Sequence, residues 1–312
     1  VWIQANSYGS AAHSGSSSYR RGRQCRKLAG SCGSMLARVI GKLFLCATPI
    51  GNLADSSERL RTVLDDVDMI YAEDTRRAAK LLRALDVRTS VRSYFIGNEK
   101  QRAVEMQHRL EVGEKVALIT DAGMPVVADP GLTAVRAAIE VGAEVTDIPG
   151  PSAATAALAV SGLPAERFVF EGFLPRKGKE RRIRLAELAE ERRTAVLFSA
   201  KSRVVADLTD MAEALGERHI VVTRELTKAY EEIWRGTLHE AVEHWSTQEL
   251  RGEFTLVIEG ARQESADLDR IVAEAVDAIE SGESMADAVR RIASESGVSR
   301  RKLYEAVLND KR

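Results

Sequence analysis

Two adjacent carboxylates are followed by two guanidiniums in Ala72-Glu73-Asp74-Thr75-Arg76-Arg77, which sets proton-accepting groups beside groups that orient an anion. A local reading competes: Asp74 or Thr75 caps a helix whose first turn carries Arg76 and Arg77. Cations in a first turn oppose the helix dipole, which favours a functional reason for them. Three further segments combine glycine and proline as ligand-binding loops do. They are Thr48-Pro49-Ile50-Gly51-Asn52-Leu53, then Asp121-Ala122-Gly123-Met124-Pro125 running on to Ala128-Asp129-Pro130-Gly131, then Pro149-Gly150-Pro151-Ser152. Glycine lets the backbone approach a ligand, proline stiffens the loop, and free N–H groups at a following helix start can receive an anionic group. Ser152 is a suitable N-cap for the helix after the last of them. One such segment is an ordinary turn; three at equivalent strand ends point to a bound small molecule.

The elements that must hold these loops are read from hydrophobic periodicity. Short apolar runs (LFLCA, MIYAED, KVALITD, EVTDIPG) alternate with amphipathic stretches (SSERLRTVLDDV, TRRAAKLLRAL, GLTAVRAAIEVG, SAATAALAVSG), which predicts α/β order. Strands apolar on both faces imply a mainly parallel sheet, whose ligands bind beyond the carboxyl ends of the strands. A second cycle starts near Arg167 with FVFEGF, a charged helical stretch, TAVLFSA, a helix over 202–215, HIVVTREL, AYEEIWRG, a helix near 238–245 and EFTLVIEG. No helix separates the strands between His219 and Gly236, so an antiparallel pair and a mixed second sheet are expected. The boundary falls near Gly162, Leu163 and Pro164. The expected organisation is an N-terminal α/β domain over 35–163, a C-terminal α/β domain over 164–262 and a helical tail over 263–312. In that tail Leu268, Ile271, Val272, Ala275, Val276 and Ile279 mark an amphipathic helix. Ser284 opens a second, Gly297-Val298 turns, and Ser299 caps a third from Arg300, in a helix-turn-helix-like arrangement.

Composition excludes several classes. With 312 residues, 45% hydrophobic and 29% charged, the chain is neither a disulfide miniprotein nor a disordered one. No run approaches the roughly 18 apolar residues of a membrane span. Cys25, Cys32 and Cys46 offer no disulfide framework or zinc spacing, which suits a reducing cytoplasm. His13, His108, His219, His239 and His244 are scattered without an H-E-x-x-H, so no metal is expected. Neither G-x-G-x-x-G after the first strand nor G-x-x-x-x-G-K-[ST] occurs, which removes the usual warrant for dinucleotide or P-loop chemistry. Residues 1–34 hold five basic and no acidic side chains and show no period; they are expected to be a disordered leader or a non-native extension. The rest carries 40 basic against 46 acidic residues, so contact with a polyanion needs local basic patches. One such patch is Pro175–Arg184, with six basic residues and one acid.

The motifs TPIGNLxD, AEDTR, DAGxPxxxDPG, PGPSA, FEGFLPRK, RELTK and GExTxVxEG stand here in the order in which they occur in the ribosomal RNA small subunit methyltransferase I family of the tetrapyrrole (class III) methylase superfamily. The chain resembles that family from about Leu43 to Gly260 and in its helical tail. The resemblance implies two α/β domains with S-adenosylmethionine in the cleft between them, a homodimer, and 2′-O-methylation of a cytidine ribose in the decoding centre of 16S rRNA. The cofactor contacts it implies are Pro49, Gly51 and Asn52, Asp121, Ala122, Gly123 and Pro125, Asp129, Pro130 and Gly131, Pro149, Gly150, Pro151 and Ser152, and Glu225 with Leu226. Methyl transfer from a sulfonium needs no metal; it needs in-line alignment and help in removing a poorly acidic hydroxyl proton. Glu73 or Asp74 would accept that proton, with Arg76 orienting the ribose or an adjacent phosphate. Arg176, Lys177, Lys179, Arg181 and Arg182 would clamp RNA phosphates, and Arg300, Arg301 and Lys302 would add a second contact with rRNA in the small subunit.

The chain departs from the family pattern in two places. Where members commonly carry a Phe-Glu-Ser-Pro-His-Arg-like stretch along the cofactor pocket, it has Phe198-Ser199-Ala200-Lys201-Ser202-Arg203. The segment Tyr94–Glu99 lacks the histidine that many members have, so catalysis is assigned to none. Two rival readings stand beside the resemblance: a class III methylase acting on a small molecule such as a tetrapyrrole, and a non-enzymatic regulator that binds nucleic acid through its terminal helices. The first has no need of the basic loop, and the second none of three glycine-proline loops at one sheet edge.

Overall fold

The computed structural model describes residues 40–261, 265–296 and 300–310. The expected leader 1–34 and the turn at Gly297-Val298 with its Ser299 cap lie outside the described residues, as do the side chains of Leu268 and Lys302.

Five short strands build the first sheet: β1 (Lys42–Cys46), β2 (Met69–Ala72), β3 (Val91–Ser93), β4 (Lys115–Ile119) and β5 (Glu144–Ile148). Their order is β3-β2-β4-β1-β5, and every neighbouring pair is parallel. Side chains alternate between the faces of a strand, and both faces are covered. On one face Ile70 and Ala72 pack with Leu60 and Leu64 of α1 (Glu58–Asp66) and with Ala78 and Leu82 of α2 (Thr75–Ala84). On the other, Met69 and Tyr71 meet Met106 and Leu110 of α3 (Glu99–Glu111) and Ala134 and Ala138 of α4 (Leu132–Glu140). Each fully buried leucine or isoleucine contributes roughly 1.5–3 kcal/mol. All four residues of β2 are buried, which fixes the height at which Glu73 and Asp74 emerge.

The second sheet contains β6 (Phe168–Phe173), β7 (Thr194–Ala200), β8 (His219–Arg224), β9 (Glu232–Thr237) and β10 (Glu253–Ile258), in the order β6-β7-β10-β8-β9. Only the β6–β7 pair is parallel, so the sheet is mixed, with β8 and β9 forming the expected antiparallel pair. Leu197, Ile220, Val222 and Leu256 face Leu185 of α6 (Gly178–Glu190), Leu208 of α7 (Val204–Leu215) and Trp245 of α8 (Leu238–Ser246). The opposite face, with Val196, Val221 and Val257, receives Ala154, Ala157 and Leu158 of α5 (Ala153–Ser161), together with Ile50 and Leu226. The alanines of α5 allow that close approach, and the helix ends at Gly162, whose φ of 78° is left-handed. The helix following β5 thus covers the second sheet and joins the two lobes.

After β10 the chain is helical. Ile271, Val272 and Ala275 of α9 (Ser265–Glu280), Val289, Ile292 and Ala293 of α10 (Met285–Ser296), and Leu303 and Val307 of α11 (Arg300–Asp310) form a core of their own. Ser284 starts α10 by accepting the Asp287 N–H at 3.2 Å and donating its hydroxyl to the Asp287 carboxylate at 2.7 Å. Among the described residues no helix is long and apolar enough to cross a membrane.

Candidate active site

The strand-end loops of the first sheet meet at Gly123. Its N–H and carbonyl exchange hydrogen bonds with Thr48 at 3.1 and 2.9 Å. Its φ is +84°, and a side chain there would touch Ile50 and the Pro151 carbonyl, both 3.7 Å away. Those are ordinary contact distances, so glycine is needed here for the conformation of the turn and not for room. Across from these loops lies the second lobe: Gly51 packs so close to Leu226, Thr227 and Lys228 that a Cβ would fall 2.9 Å from the Leu226 carbonyl. Between the lobes is a cavity of about 610 Å³, lined by Ile50, Glu73, Arg77, Thr120–Met124, Val127–Asp129, Ser152 and Ala153 on one side. Phe173, Phe198–Lys201, Glu225, Leu226, Lys228 and Gly252–Thr255 line the other. Four non-glycine residues in the flanking loops take positive φ: Val126 (77°), Ala128 (63°), Glu225 (51°) and Thr227 (66°). Such backbone costs on the order of 1–3 kcal/mol per residue and gathers at ligand sites.

Five carboxylates and three cations line the cavity. Glu73 and Asp129 both reach the Thr120 hydroxyl, at 3.2 and 2.7 Å, and that hydroxyl has one hydrogen to give. Burial pushes the Glu73 carboxyl above the usual range, with repulsion from Asp129 and Asp121 acting the same way. Asp129 is also raised by burial, against the Thr120 hydrogen bond. Asp121 is raised by burial although Arg77 stands 3.4 Å away and the Asp74 N–H donates to it at 3.1 Å. The site therefore holds more negative charge than its own cations offset, and a cation would relieve it.

Asp74 and Arg76 behave differently from Glu73. Asp74 caps α2 by accepting the Arg76 N–H at 2.8 Å, and the Arg76 guanidinium closes back on it at 2.6 Å. Those hydrogen bonds hold the Asp74 carboxyl well below the carboxylate range, which makes it a poor base. The Arg76 side chain is 88% exposed and lies outside the cavity lining, whereas Arg77 belongs to it. The local reading of this motif holds for Asp74 and Arg76, and the cavity takes Glu73 and Arg77.

Of the expected cofactor contacts, Asp121, Ala122, Gly123, Asp129, Ser152, Glu225 and Leu226 line the cavity. Pro49, Gly51, Asn52, Pro125, Pro130, Gly131, Pro149, Gly150 and Pro151 are not part of its lining. Asn52 caps a short helical turn through the Ala54 N–H, Pro125 and Gly131 are buried, and a Cβ on Gly150 would touch Ala47 at 3.0 Å. At the start of α4 the N–H groups of Gly131 and Ala134 are already engaged, donating to the Glu99 carboxylate and the Tyr94 hydroxyl, both at 3.1 Å. Ser152 stands at the N-cap position of α5 but its side chain makes no capping bond, and the residue lines the cavity. Thr120 is not singled out from sequence, while Phe173, Lys228 and the trio Gly252, Glu253 and Thr255 stand inside the FEGFLPRK, RELTK and GExTxVxEG motifs without a role assigned to them individually. The Glu225 carboxylate accepts from Lys228 at 2.7 Å and from the Glu253 N–H at 3.0 Å; these outweigh its burial and lower its pKa.

In the segment that follows the lining residue Phe173, Arg176, Lys177, Lys179 and Arg182 are exposed at and just before the start of α6, as the charge run suggested. Arg181 is a correction: it is buried, with its guanidinium 2.9 Å from Asp207, 2.5 Å from Asp210 and 3.0 Å from the Pro175 carbonyl. It occupies the inward stripe of α6 with Leu185 and Leu188 and cannot meet a phosphate. Arg300 and Arg301 are exposed on α11, with Arg301 paired to Glu305 at 3.1 Å.

Residues 42–242 match the family model described as Tetrapyrrole (Corrin/Porphyrin) Methylases. Among solved structures, a diphthine synthase superposes with a TM-score of 0.56 at 14% identity, covering 70% of this chain and 89% of that one. A uroporphyrin-III C-methyl transferase from Thermus thermophilus, complexed with S-adenyl homocysteine, gives 0.51 at 19% identity over 70% and 97%. These likenesses speak to fold. Closer in sequence is the ribosomal RNA small subunit methyltransferase I of Mycobacterium tuberculosis (strain CDC 1551 / Oshkosh), 45% identical over 276 residues, 87% of this chain and 96% of that protein. Proteins of the same description from Synechocystis sp. (strain PCC 6803) and Bacillus subtilis (strain 168) are 43% and 38% identical, covering 86% of this chain and 98% and 94% of their own lengths. The parallel first sheet, the mixed second sheet, the cavity between them and this similarity across nearly the whole of each relative lead to one conclusion: the chain belongs to the tetrapyrrole methylase family and, within it, to the ribosomal RNA small subunit methyltransferase I group.

Proposed function

We propose that this protein transfers a methyl group from S-adenosylmethionine to the 2′-hydroxyl of a cytidine in the decoding centre of 16S rRNA within the small ribosomal subunit. We further propose that it does so as a cytoplasmic homodimer. Its parts are an N-terminal α/β domain (35–163), a C-terminal α/β domain (164–262) and a helical tail (263–312). The observation that carries the reading is the cavity itself, where strand-end loops of one lobe and β7, β10 and the Glu225–Lys228 loop of the other enclose buried carboxylates. Those residues fit a sulfonium cofactor. The excess of carboxylates complements a positive sulfur, and Ile50, Leu226 and Phe198 give apolar surface to an adenine ring.

When bound, S-adenosylmethionine supplies an electrophilic methyl group on a positively charged sulfur. The chain's own residues do the rest. The glycine-bearing loops fix the approach of the hydroxyl through rigid backbone. Glu73 accepts the hydroxyl proton; its raised pKa makes it a better proton acceptor than an ordinary carboxylate. Thr120, hydrogen-bonded to Glu73 and Asp129, steadies the carboxylate that is ionised. Arg77 and Lys201, on the cavity lining, are positioned to orient ribose or phosphate. Arg176, Lys177, Lys179 and Arg182 hold the RNA backbone beside the cavity, with Arg300, Arg301 and Lys302 as a second contact. The test is transfer of radiolabelled methyl to small subunits from a strain lacking the modification, followed by mapping of the labelled nucleotide. Label on a cytidine ribose in the decoding centre is expected. No label on subunits, or label on a tetrapyrrole instead, would refute the reading.

A further inference from the structure

Phe173 is 57% exposed, although it lines the cavity on which the two lobes converge. An exposed large aromatic ring at a cavity mouth loses the burial that would stabilise it, and the backbone around it is bent to keep it there. Phe170 and Phe173 are three residues apart on β6, so a regular strand would send them to opposite faces of the sheet. Between them the register slips: Phe170 pairs with Val196, Gly172 with Leu197 and Phe173 with Phe198, leaving Glu171 as an extra residue. This β-bulge turns both rings to one side, where each packs edge-on against Phe198, with centroids 5.0 and 5.6 Å away. Gly172 at the bulge has φ +62° with open space where a Cβ would be, so glycine is required there by conformation and not by room. Displaced from the ladder, Glu171 binds Arg184 at 2.9 Å. Immediately beyond the ring, Leu174 is anchored in the second lobe's core and the exposed basic run begins at Arg176.

From this juxtaposition we infer that Phe173 is the stacking platform for the target nucleotide: its exposed face takes an unstacked RNA base, so that the ribose hydroxyl enters the cavity at Glu73 while the basic run holds the flanking phosphates. Sequence-selective RNA proteins bind splayed bases on aromatic rings, and a ring braced on a strand end by Phe198, which Phe170 packs against in turn, is a rigid surface for that purpose. The inference rests on the proposed rRNA methylation and specifies how that substrate is held. Phe173 is a positioning residue; it takes no part in proton transfer.

Methyl transfer to small subunits is measured for the wild type, Phe173→Ala, Phe173→Leu and Phe173→Tyr, with S-adenosylmethionine affinity read separately by calorimetry and oligomeric state by sedimentation. Loss of one base stack is expected to lower kcat/KM for subunits by about 5- to 150-fold in Phe173→Ala. Phe173→Leu, which keeps apolar bulk but has no π-face, should fall with it, and Phe173→Tyr should recover. Cofactor affinity and oligomeric state should stay those of the wild type. Full activity in Phe173→Ala or Phe173→Leu would overturn the inference. So would a matching loss of cofactor affinity, which would make the ring part of the cofactor wall, or a change of oligomeric state, which would make it a contact between copies. An inactive wild type would instead bring down the rRNA reading, and this inference with it.

Discussion

Replacing Arg181 by alanine separates a structural arginine from its phosphate-binding neighbours. Arg181 is 6% exposed and Asp207 4%, so the substitution leaves a buried carboxylate without its main partner. Breaking such a pair from one side costs about 3–5 kcal/mol. Asp207 would keep the Ser199 hydroxyl at 2.7 Å and the more distant Arg203 at 3.6 Å, which holds the loss near the lower end, about 3 kcal/mol. For a folded unit of this size that is a fall in melting temperature of roughly 6–12 °C. Arg182→Ala, one residue on and exposed, should change stability by less than about 0.5 kcal/mol. The double variant Arg181→Met/Asp207→Leu removes both buried charges and should regain most of the lost stability, because the penalty lies in the unpaired charge. Circular-dichroism melting and urea titration read all three. If Arg181→Ala melted with the wild type and weakened RNA binding as Arg182→Ala does, the burial argument would be wrong and Arg181 would belong to the phosphate clamp.

Glu73→Gln should lower turnover by about 10²–10⁴-fold and abolish the acid limb of the pH–rate profile. In the wild type the rate should rise with pH through the raised Glu73 pKa, since only the ionised carboxylate accepts a proton. The same shift has a stability sign: a carboxyl raised in the folded state favours folding at low pH and loses that contribution as pH rises through its folded pKa. Glu73→Gln should therefore melt above the wild type at pH 8, with the gap closing on acidification. Removing Lys179 and Arg182 together should flatten the dependence of log affinity for RNA on log salt by about 1–2, without altering cofactor affinity. Gly51→Ala would force a Cβ to within 2.4 Å of the Lys228 Cγ and 2.9 Å of the Leu226 carbonyl. It should cost about 1–3 kcal/mol of stability and weaken cofactor binding, because the clash lies where the lobes meet.

Much of the architecture was legible because parallel strands covered on both faces read as unbroken apolar runs, as in β2 and β4. The second sheet's antiparallel pair followed from the missing helix between β8 and β9. The segment β3–α3 escaped for physical reasons. β3 is three residues with an exposed arginine at its centre, and α3 buries only Ala103, Met106 and Leu110 among charged neighbours, although their i, i+3, i+7 spacing is helical. The first-lobe loops were legible from residue types, and the second-lobe wall at Phe198–Lys201 and Glu225–Leu226 through the family resemblance alone. The rest is made by β10, whose cavity-facing residues look like core, and by a bulge that re-aims Phe173 without any change of residue type. Arg181 shows where a charge run misleads. Composition put it with its basic neighbours, whereas its position four and seven residues before Leu185 and Leu188 put it inside.

The most direct measurement is a crystal structure grown with S-adenosylhomocysteine. The thioether sulfur should lie between the Asp121–Asp129 loop and Leu226, with the Glu73 carboxylate on the side left open for the attacking hydroxyl. A ligand bound elsewhere, an empty crevice in saturating ligand, or a sulfur walled off from Glu73 would contradict the assignment of this cavity as the seat of methyl transfer.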